Sequence, residues 1–398
     1  MISPRSHPNY PDWIGIALAF YAFVSIGIAE GGLGVLLPSI LETYHLTPAT
    51  VTVLFISQVT GYAIAAATSS LLSSYLGLAR SLLLASISLT SALSIYAFTT
   101  HWWVMVAAGL LLGLGAGLID AGINTFIAND QRNANLLGML HAFYGVGALL
   151  GPILATTLLA LGFYWQHIYF VVAAIVSMTI IGMLWAVLHR YPPMMLKLAT
   201  NINPKANLRR ALKTPIVLVS SLLLLIYVGT EVSIGNWAYT VQHVSRGIPA
   251  WIAGYSIAGY WLGLTLGRLA MGQLVKHLGA TRTIDVSLAL LLIGLLMWGW
   301  LPNQWLSLPV MGLGLAAIFP AMIWLTPQRV AAPIVPAAIG FLASVGSLGS
   351  ASIPTIVGWV ADRAGLEIIP AFLVPLAIVM IGLHRWLVRH SPSEQVLP

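Results

Sequence analysis

The chain has 398 residues, of which 59% are hydrophobic and 7% charged, against about 25% charged in a soluble globular domain, so a soluble enzyme or binding module is excluded and a membrane protein indicated. The net charge of +7 does not read as nucleic-acid affinity, because the basic residues punctuate the ends of apolar stretches and form no stripe on a polar surface. Without cysteine, disulfide scaffolds, thiolate metal sites and cysteine nucleophiles are removed.

Apolar runs between polar or Pro/Gly punctuation predict twelve membrane spans, at 13–40, 48–73, 80–100, 102–128, 136–160, 165–189, 215–240, 250–275, 283–301, 305–327, 335–360 and 367–388. The first is too long for a signal-peptide core and no small-residue cleavage site follows a short core, so it reads as a retained span. The loops between spans are short, and no room is expected for a separate soluble domain. A barrel is excluded because runs such as Leu218 to Val228 lack alternation of apolar and polar residues.

With twelve spans both termini share a side. The segments on that side hold Arg5, Arg80, Arg132, Arg190, Lys197, Lys205, Arg209, Arg210, Lys213, Lys276, Arg282, Arg329, Arg385 and Arg389; the opposite segments hold Arg246 and Arg363. The asymmetry puts the termini in the cytoplasm. The longest connection divides the chain into a six-helix bundle at 1–190, a cytoplasmic linker at 191–214 and a second bundle at 215–398.

The halves match at an offset near 200 residues. Glu30 and Gly34 correspond to Glu231 and Gly235; Gly61, Gly77 and Arg80 to Gly263, Gly279 and Arg282; Gly113-Leu114-Gly115 to Gly312-Leu313-Gly314; Gly138 to Gly340. Two homologous bundles facing one another, with a site near the midplane, is transporter architecture. A channel would show a selectivity-filter loop or pore-lining repeats, and a membrane enzyme a catalytic constellation such as HExxH; neither is present. No catalytic residue, cofactor or metal site is therefore expected.

Twelve spans, the central basic loop and the repeated turns after spans 2 and 8 resemble the major facilitator superfamily over essentially the whole chain. In that family these turns carry a Gly-x-x-x-Asp-Arg/Lys-x-Gly-x-x-Arg latch. Here Ser70 and Ser74 take the Gly and Asp positions and Tyr75 the basic one, with Gly77 and Arg80 kept. The second copy keeps Gly272, Gly279 and Arg282 but has Lys276 in place of the acid. Arg80 and Arg282 are the gating residues this resemblance implies, without the usual acidic partner.

A finer resemblance joins Gly113-x-Gly115-x-Gly117-x-x-Asp120-x-x-x-Asn124, Tyr227-x-x-x-Glu231 with Trp237, and Gly312-x-Gly314 followed by Phe319-Pro320. These are similar to the fucose:proton symporter branch, which imports sugars with protons. The branch's acid in span 1 falls at Gly34, one turn beyond Glu30, so Glu30 does not simply inherit its role. In span 5, Gly138, Gly147 and Gly151-Pro152 match part of a motif of proton-coupled efflux pumps, although Ala155-Thr156 replaces its closing Gly-Gly pair; glycines at four-residue spacing also serve simply to let helices approach.

Carboxylates at membrane depth cost roughly 2.5 to 3.5 kcal/mol on insertion scales and persist where they face a cavity or a partner. Asp120 is the first candidate for the coupling proton, then Glu30 and Glu231, against the plainer reading of carboxyls that stabilise helix contacts. Sodium is the less favoured coupling ion. For a polyol, Asn124 on the face of Asp120, with Gln58, Asn236, Trp237, Tyr260 and Trp261, supplies amides and aromatic faces, Trp237 being the sugar platform. Trp13, Trp102, Trp103, Trp165, Trp305 and Trp386 read as interfacial. His141 binds substrate, relays a proton or is a core histidine. Arg268 either gates by pairing an acid or snorkels to the interface. Thr326-Pro327 and Ser352-Ile353-Pro354 are expected to break spans 10 and 11.

The reading is an all-α, multi-pass transporter of the cell membrane, functional as a monomer in the bilayer, importing a sugar or similar small polar solute with protons by alternating access and binding no nucleic acid. The alternatives are proton-driven efflux of sugars or amphipathic compounds and, in another class, a non-transporting sensor on the same fold.

Overall fold

A computed structural model describes residues 13–128, 136–194, 209–301 and 306–391. Arg5, Arg132, Lys197, Lys205, Trp305 and most of the linker expected at 191–214 lie outside the described residues. No strand occurs among the described residues. The helices are α1 Trp13–Gly31, α2 Leu33–Thr43, α3 Pro48–Leu76, α4 Leu78–Phe98, α5 Trp102–Ala128, α6 Leu136–Ala160, α7 Trp165–Leu188, α8 Pro215–Thr240, α9 Ala250–Leu278, α10 Ala280–Trp300, α11 Ser307–Ala316, α12 Ile318–Arg329, α13 Val335–Ala364 and α14 Ile368–His390. Span 1 is α1 with α2, and span 10 is α11 with α12. Among the described residues eleven stretches are long and apolar enough to cross a bilayer. The remaining span, α9, has 29 residues and carries Arg268, Lys276 and His277.

Local chemistry sets the ends. Thr47 caps α3 through reciprocal bonds with Thr50, and Pro48 occupies the first turn, where its missing N–H costs nothing. α3 and α9 end at Gly77 and Gly279, whose φ of 81° and 79° an L side chain resists. Neither proline-bearing motif interrupts its helix: α12 continues through Pro327 and α13 through Pro354, since neighbouring helices and Ser/Thr hydroxyls compensate proline in a bilayer. The discontinuities fall at Gly32, between α1 and α2, and at Ala317, between α11 and α12.

The duplication appears in the packing. In the first half α3 lies along α5, α1 along α6 and α4 along α7; in the second, α9 lies along α11, α8 along α13 and α10 along α14. The Gly-x-Gly pairs explain part of this. A Cβ on Gly113 would overlap the Gln58 carbonyl oxygen and one on Gly312 that of Tyr260, while Gly115 and Gly314 face the backbones of Leu89 and Leu291. Each pair thus lets one helix touch two neighbours at backbone distance, where dispersion contacts drive association in lipid. Gly147 and Gly151 do likewise against Val24 and Gly32, which accounts for their spacing without an efflux motif.

The two halves meet along α2 with α8, α3 with α13 and α6 with α9. Taking the face where α1 begins as proximal, the contacts lie toward the distal face: Gly34 against the Gly235 carbonyl, Gly358 against Pro48 O, Gly254 against Thr156, and Thr157 Oγ1 3.0 Å from Tyr255 Oη. Toward the proximal face Gly138, Gly272 and Gly340 meet nothing within 4 Å. The halves touch on the distal side, and none of these three proximal glycines lies against the other half. At the distal rim, Arg246 donates to both Glu367 oxygens at 2.7–2.9 Å and to Trp298 O at 2.9 Å.

Gly34→Ala places a methyl on the Gly235 carbonyl and should hold the distal side open. In this cysteine-free chain, Ser347→Cys in the cavity should then react with an impermeant thiol reagent from the distal side; unchanged labelling contradicts the closure. The Arg246 guanidinium holds Glu367 below its ordinary value of 4.5, so this contact stabilises above about pH 4.5 and is lost as pH falls through the lower folded value. Melting curves of wild type and Arg246→Ala should therefore converge on acidification, and a constant gap would contradict the pairing.

Candidate functional site

A cavity of about 230 Å³ lies between the halves. It is walled by Glu30 of α1, Phe55, Gln58 and Tyr62 of α3, Tyr144 of α6, Glu231 and Asn236 of α8, Trp261 of α9, and Ser347 and Ser350 of α13, among others. The packing glycines put Glu30 there: Gly27 and Gly31 lie on the backbones of Tyr144 and Ala148, so the turn of α1 that carries Glu30 runs against α6. Tyr144 Oη donates to Glu30 Oε2 at 2.9 Å. On the other side Tyr227 Oη, one turn before Glu231 on α8, donates to Glu231 Oε2. Arg268 Nη2 lies 3.5 Å from Glu231 Oε1, so Arg268 pairs an acid and does not snorkel.

Asp120 is one layer back. Its Oδ2 accepts from Tyr62 Oη, and Tyr62 forms cavity wall; its Oδ1 accepts from Asn124 Nδ2 at 2.8 Å. Asn124 therefore serves Asp120, one turn away on the same face, and does not line the cavity. Two carboxyls, Glu30 and Glu231, thus line the cavity, a third, Asp120, stands behind Tyr62, and one guanidinium, Arg268, sits on Glu231. Glu231 has the cation; Glu30 and Asp120 are held by hydroxyl and amide donors, with no basic partner among the described residues.

Of the other expected substrate contacts, Gln58, Asn236 and Trp261 line the cavity. Trp261 is 7% exposed and its indole N–H has no protein acceptor, an unmet donor at the wall of a polar cavity. The sugar platform expected at Trp237 is not there. Trp237 is fully buried, edge-on to Phe55 at 6.1 Å, and its Nε1 donates to Pro354 O; one residue on a helix turns the side chain about 100°, so Asn236 faces the cavity and Trp237 backs its wall. Tyr260 is also behind the wall, its Oη donating to Glu231 O at 3.0 Å. His141 is outside the lining, edge-on to Phe23 at 5.7 Å. Arg80 and Arg282 are exposed near the starts of α4 and α10, away from the cavity.

Sequence reasoning missed Tyr62, Tyr144, Ser347 and Ser350 as site residues. Tyr62 sits one turn from Gln58 and Tyr144 one turn from His141, a spacing that could have drawn attention to them. Phenols inside apolar spans otherwise look like packing.

The sequence model of the Major Facilitator Superfamily matches residues 19–330. The chain belongs to that superfamily. It is accordingly a multi-pass membrane transporter and not an enzyme. It is similar to the glucose/mannose transporter GlcP of Bacillus subtilis, at 24% identity over 399 residues, covering 96% of this chain and 97% of that one. It is also similar to the bypass of stop codon protein 6 of Saccharomyces cerevisiae, at 24% identity over 390 residues, covering 87% and 77%. Among solved structures, a point mutant of the nucleoside transporter NupG superposes with TM-score 0.79 at 12% identity, covering 94% and 99%. The D-xylose-proton symporter does so with TM-score 0.79 at 13% identity, covering 96% and 98%. These two show the fold alone.

Removing one partner of a buried ion pair costs about 3–5 kcal/mol because the other charge is stranded. Arg268→Leu should therefore lower the melting temperature of the purified protein, and adding Glu231→Leu should restore most of it. A double variant less stable than either single would contradict the pairing.

Proposed function

We propose that this chain is a proton-coupled importer of a sugar, or a similar small polar solute, working by alternating access between its two halves. The observation that carries the reading is the composition of the cavity. It brings two amides, two serines and an unmet indole N–H together with Glu30 and Glu231, and has Asp120 behind its Tyr62 wall; Glu30 and Asp120 have no basic partner among the described residues. Hydroxyl-rich solutes need many donors and acceptors around an aromatic edge; Gln58, Asn236, Ser347, Ser350, Glu231 and Trp261 supply them. About 230 Å³ is below the 300–1,000 Å³ typical of drug-sized ligands, which favours a single sugar ring over a larger amphipathic compound. The named activity of the glucose/mannose transporter, matched along nearly its whole length, supports a monosaccharide. The similarity of the Asp120 and Tyr227-to-Glu231 motifs to the fucose:proton symporter branch points the same way.

Protons are favoured over sodium because both oxygens of Asp120 already accept from an O–H and an N–H. Oxygen-seeking cations need several acceptors converging on one point, whereas a proton needs one. A neutral carboxylic acid crosses the low-dielectric interior far more easily than a carboxylate. Loading Asp120 or Glu30 thus lowers the cost of moving the halves, and the Glu231–Arg268 pair supplies a charge-balanced partner for substrate. The proximal face is assigned to the cytoplasm from its Lys/Arg excess, making this an inward-facing arrangement in the cell membrane. A single chain contains every wall of the cavity, consistent with a working monomer.

Efflux is the second reading: the same machinery run outward also moves a solute against protons, and only substrate and gradient separate the two. A sensor would have no reason to keep two unpaired carboxyls at a solute-sized cavity.

In proteoliposomes, Asp120→Asn should abolish accumulation of D-glucose or D-xylose driven by a proton gradient while leaving some sugar exchange. Undiminished uphill uptake would remove Asp120 from coupling, and exchange of a lipophilic cation with no exchange of any sugar would overturn the substrate class.

A further inference from the structure

The acids of the cavity need a route for the proton to leave, and the boundary between α6 and α9 supplies one. These helices run antiparallel across the two halves. Gly254 faces Thr156, and Gly145 faces Thr265; the contacts lie eleven residues apart on each helix, about three turns, so the pairing keeps one register. Continuing one turn from Gly145 and Thr265 toward the proximal face brings His141 level with Leu269, beside Arg268. Gly138, another turn on, meets nothing within 4 Å, and His141 is exposed.

Gly138, His141 and Gly145 share one face of α6, the face turned to α9. The imidazole therefore stands in the proximal opening, held edge-on by Phe23 of α1 at 5.7 Å. Three residues further in, Tyr144 holds Glu30. The charges whose fields act on His141 are those of Asp120 of α5 and Arg268 of α9, one from each half.

We infer that His141 is the proton-release residue: in the inward-facing arrangement it takes the proton of the Asp120 carboxylic acid, by way of water in the opening, and hands it to the proximal solution. The inference rests on the proton-coupled reading above. The step balances without a further reactant. The carboxyl O–H bond breaks and an N–H bond forms on the neutral imidazole, leaving the Asp120 carboxylate to the Tyr62 and Asn124 donors. The imidazolium then gives a proton to water and is neutral again. Substrate does not enter the step, so of the roles the sequence left open for His141 this is the proton relay and not the substrate contact.

The test is His141→Gln in proteoliposomes, with D-glucose and D-xylose as probes, comparing proton-driven uptake with counterflow, in which no net proton release is needed. Uptake should fall about tenfold or more, as loss of a general acid–base group does, counterflow should fall much less, and millimolar imidazole should restore part of the uptake. The pH dependence of uptake on the proximal side should also flatten. Wild-type uptake by the variant, or equal loss of uptake and counterflow without imidazole rescue, overturns the release role. Absence of proton-driven uptake in the unmutated protein would instead defeat the coupling reading itself, and that result is visible before any variant is made.

Discussion

A carboxylate cannot sit uncompensated at the depth of a bilayer, and the centre of this molecule is arranged around that constraint. Two carboxyls line one cavity and a third stands behind its Tyr62 wall, each answered differently. Glu231 has a guanidinium and a phenol, Asp120 a phenol and an amide, and Glu30 a phenol. The ion pair is balanced by itself. The other two are satisfied as hydrogen-bond acceptors and have no basic partner among the described residues. On the function proposed above, proton binding and the movement of the halves are parts of one equilibrium.

The arrangement depends on close backbone packing within each half and a movable boundary between them. Gly113, Gly115, Gly312 and Gly314 set the same close helix pairings in both halves. Between the halves, backbone-close contacts fall on the distal side, at Gly34 with Gly235 and Gly358 with Pro48, and α6 touches α9 as far in as Gly145 with Thr265. Each is a contact at which a single methyl would intrude. A boundary built this way is closed or open with little between, because packed surfaces are bistable and do not stretch.

Much of the architecture was legible in the chain because the bilayer permits few alternatives. Apolar length gave the spans within a few residues, and the recurrence of glycine and glutamate at one offset gave the two halves. The acids and Arg268 stood out because charge inside a span is rare. The direction of each side chain was not legible. A helix apolar all round has no polar face to announce its interior, so Trp237 and Trp261 read alike although one supports the wall and the other forms it. Tyr62 and Tyr144 passed for packing because their hydroxyls acquire meaning only from Asp120 and Glu30, far away in sequence. The breaks at Gly32 and Ala317 were missed for prolines that the neighbouring helices absorb.

The central claim is that solute and proton move together because the cavity's acids must be neutral for the halves to turn. It is tested most directly by adding D-glucose or D-xylose to proteoliposomes of the unmodified protein that hold a pH-sensitive dye and no imposed proton gradient. The account predicts that sugar entry acidifies the lumen, with protons following the sugar in fixed proportion and the signal abolished by a protonophore. Sugar entry at full rate with no change of lumenal pH would contradict it.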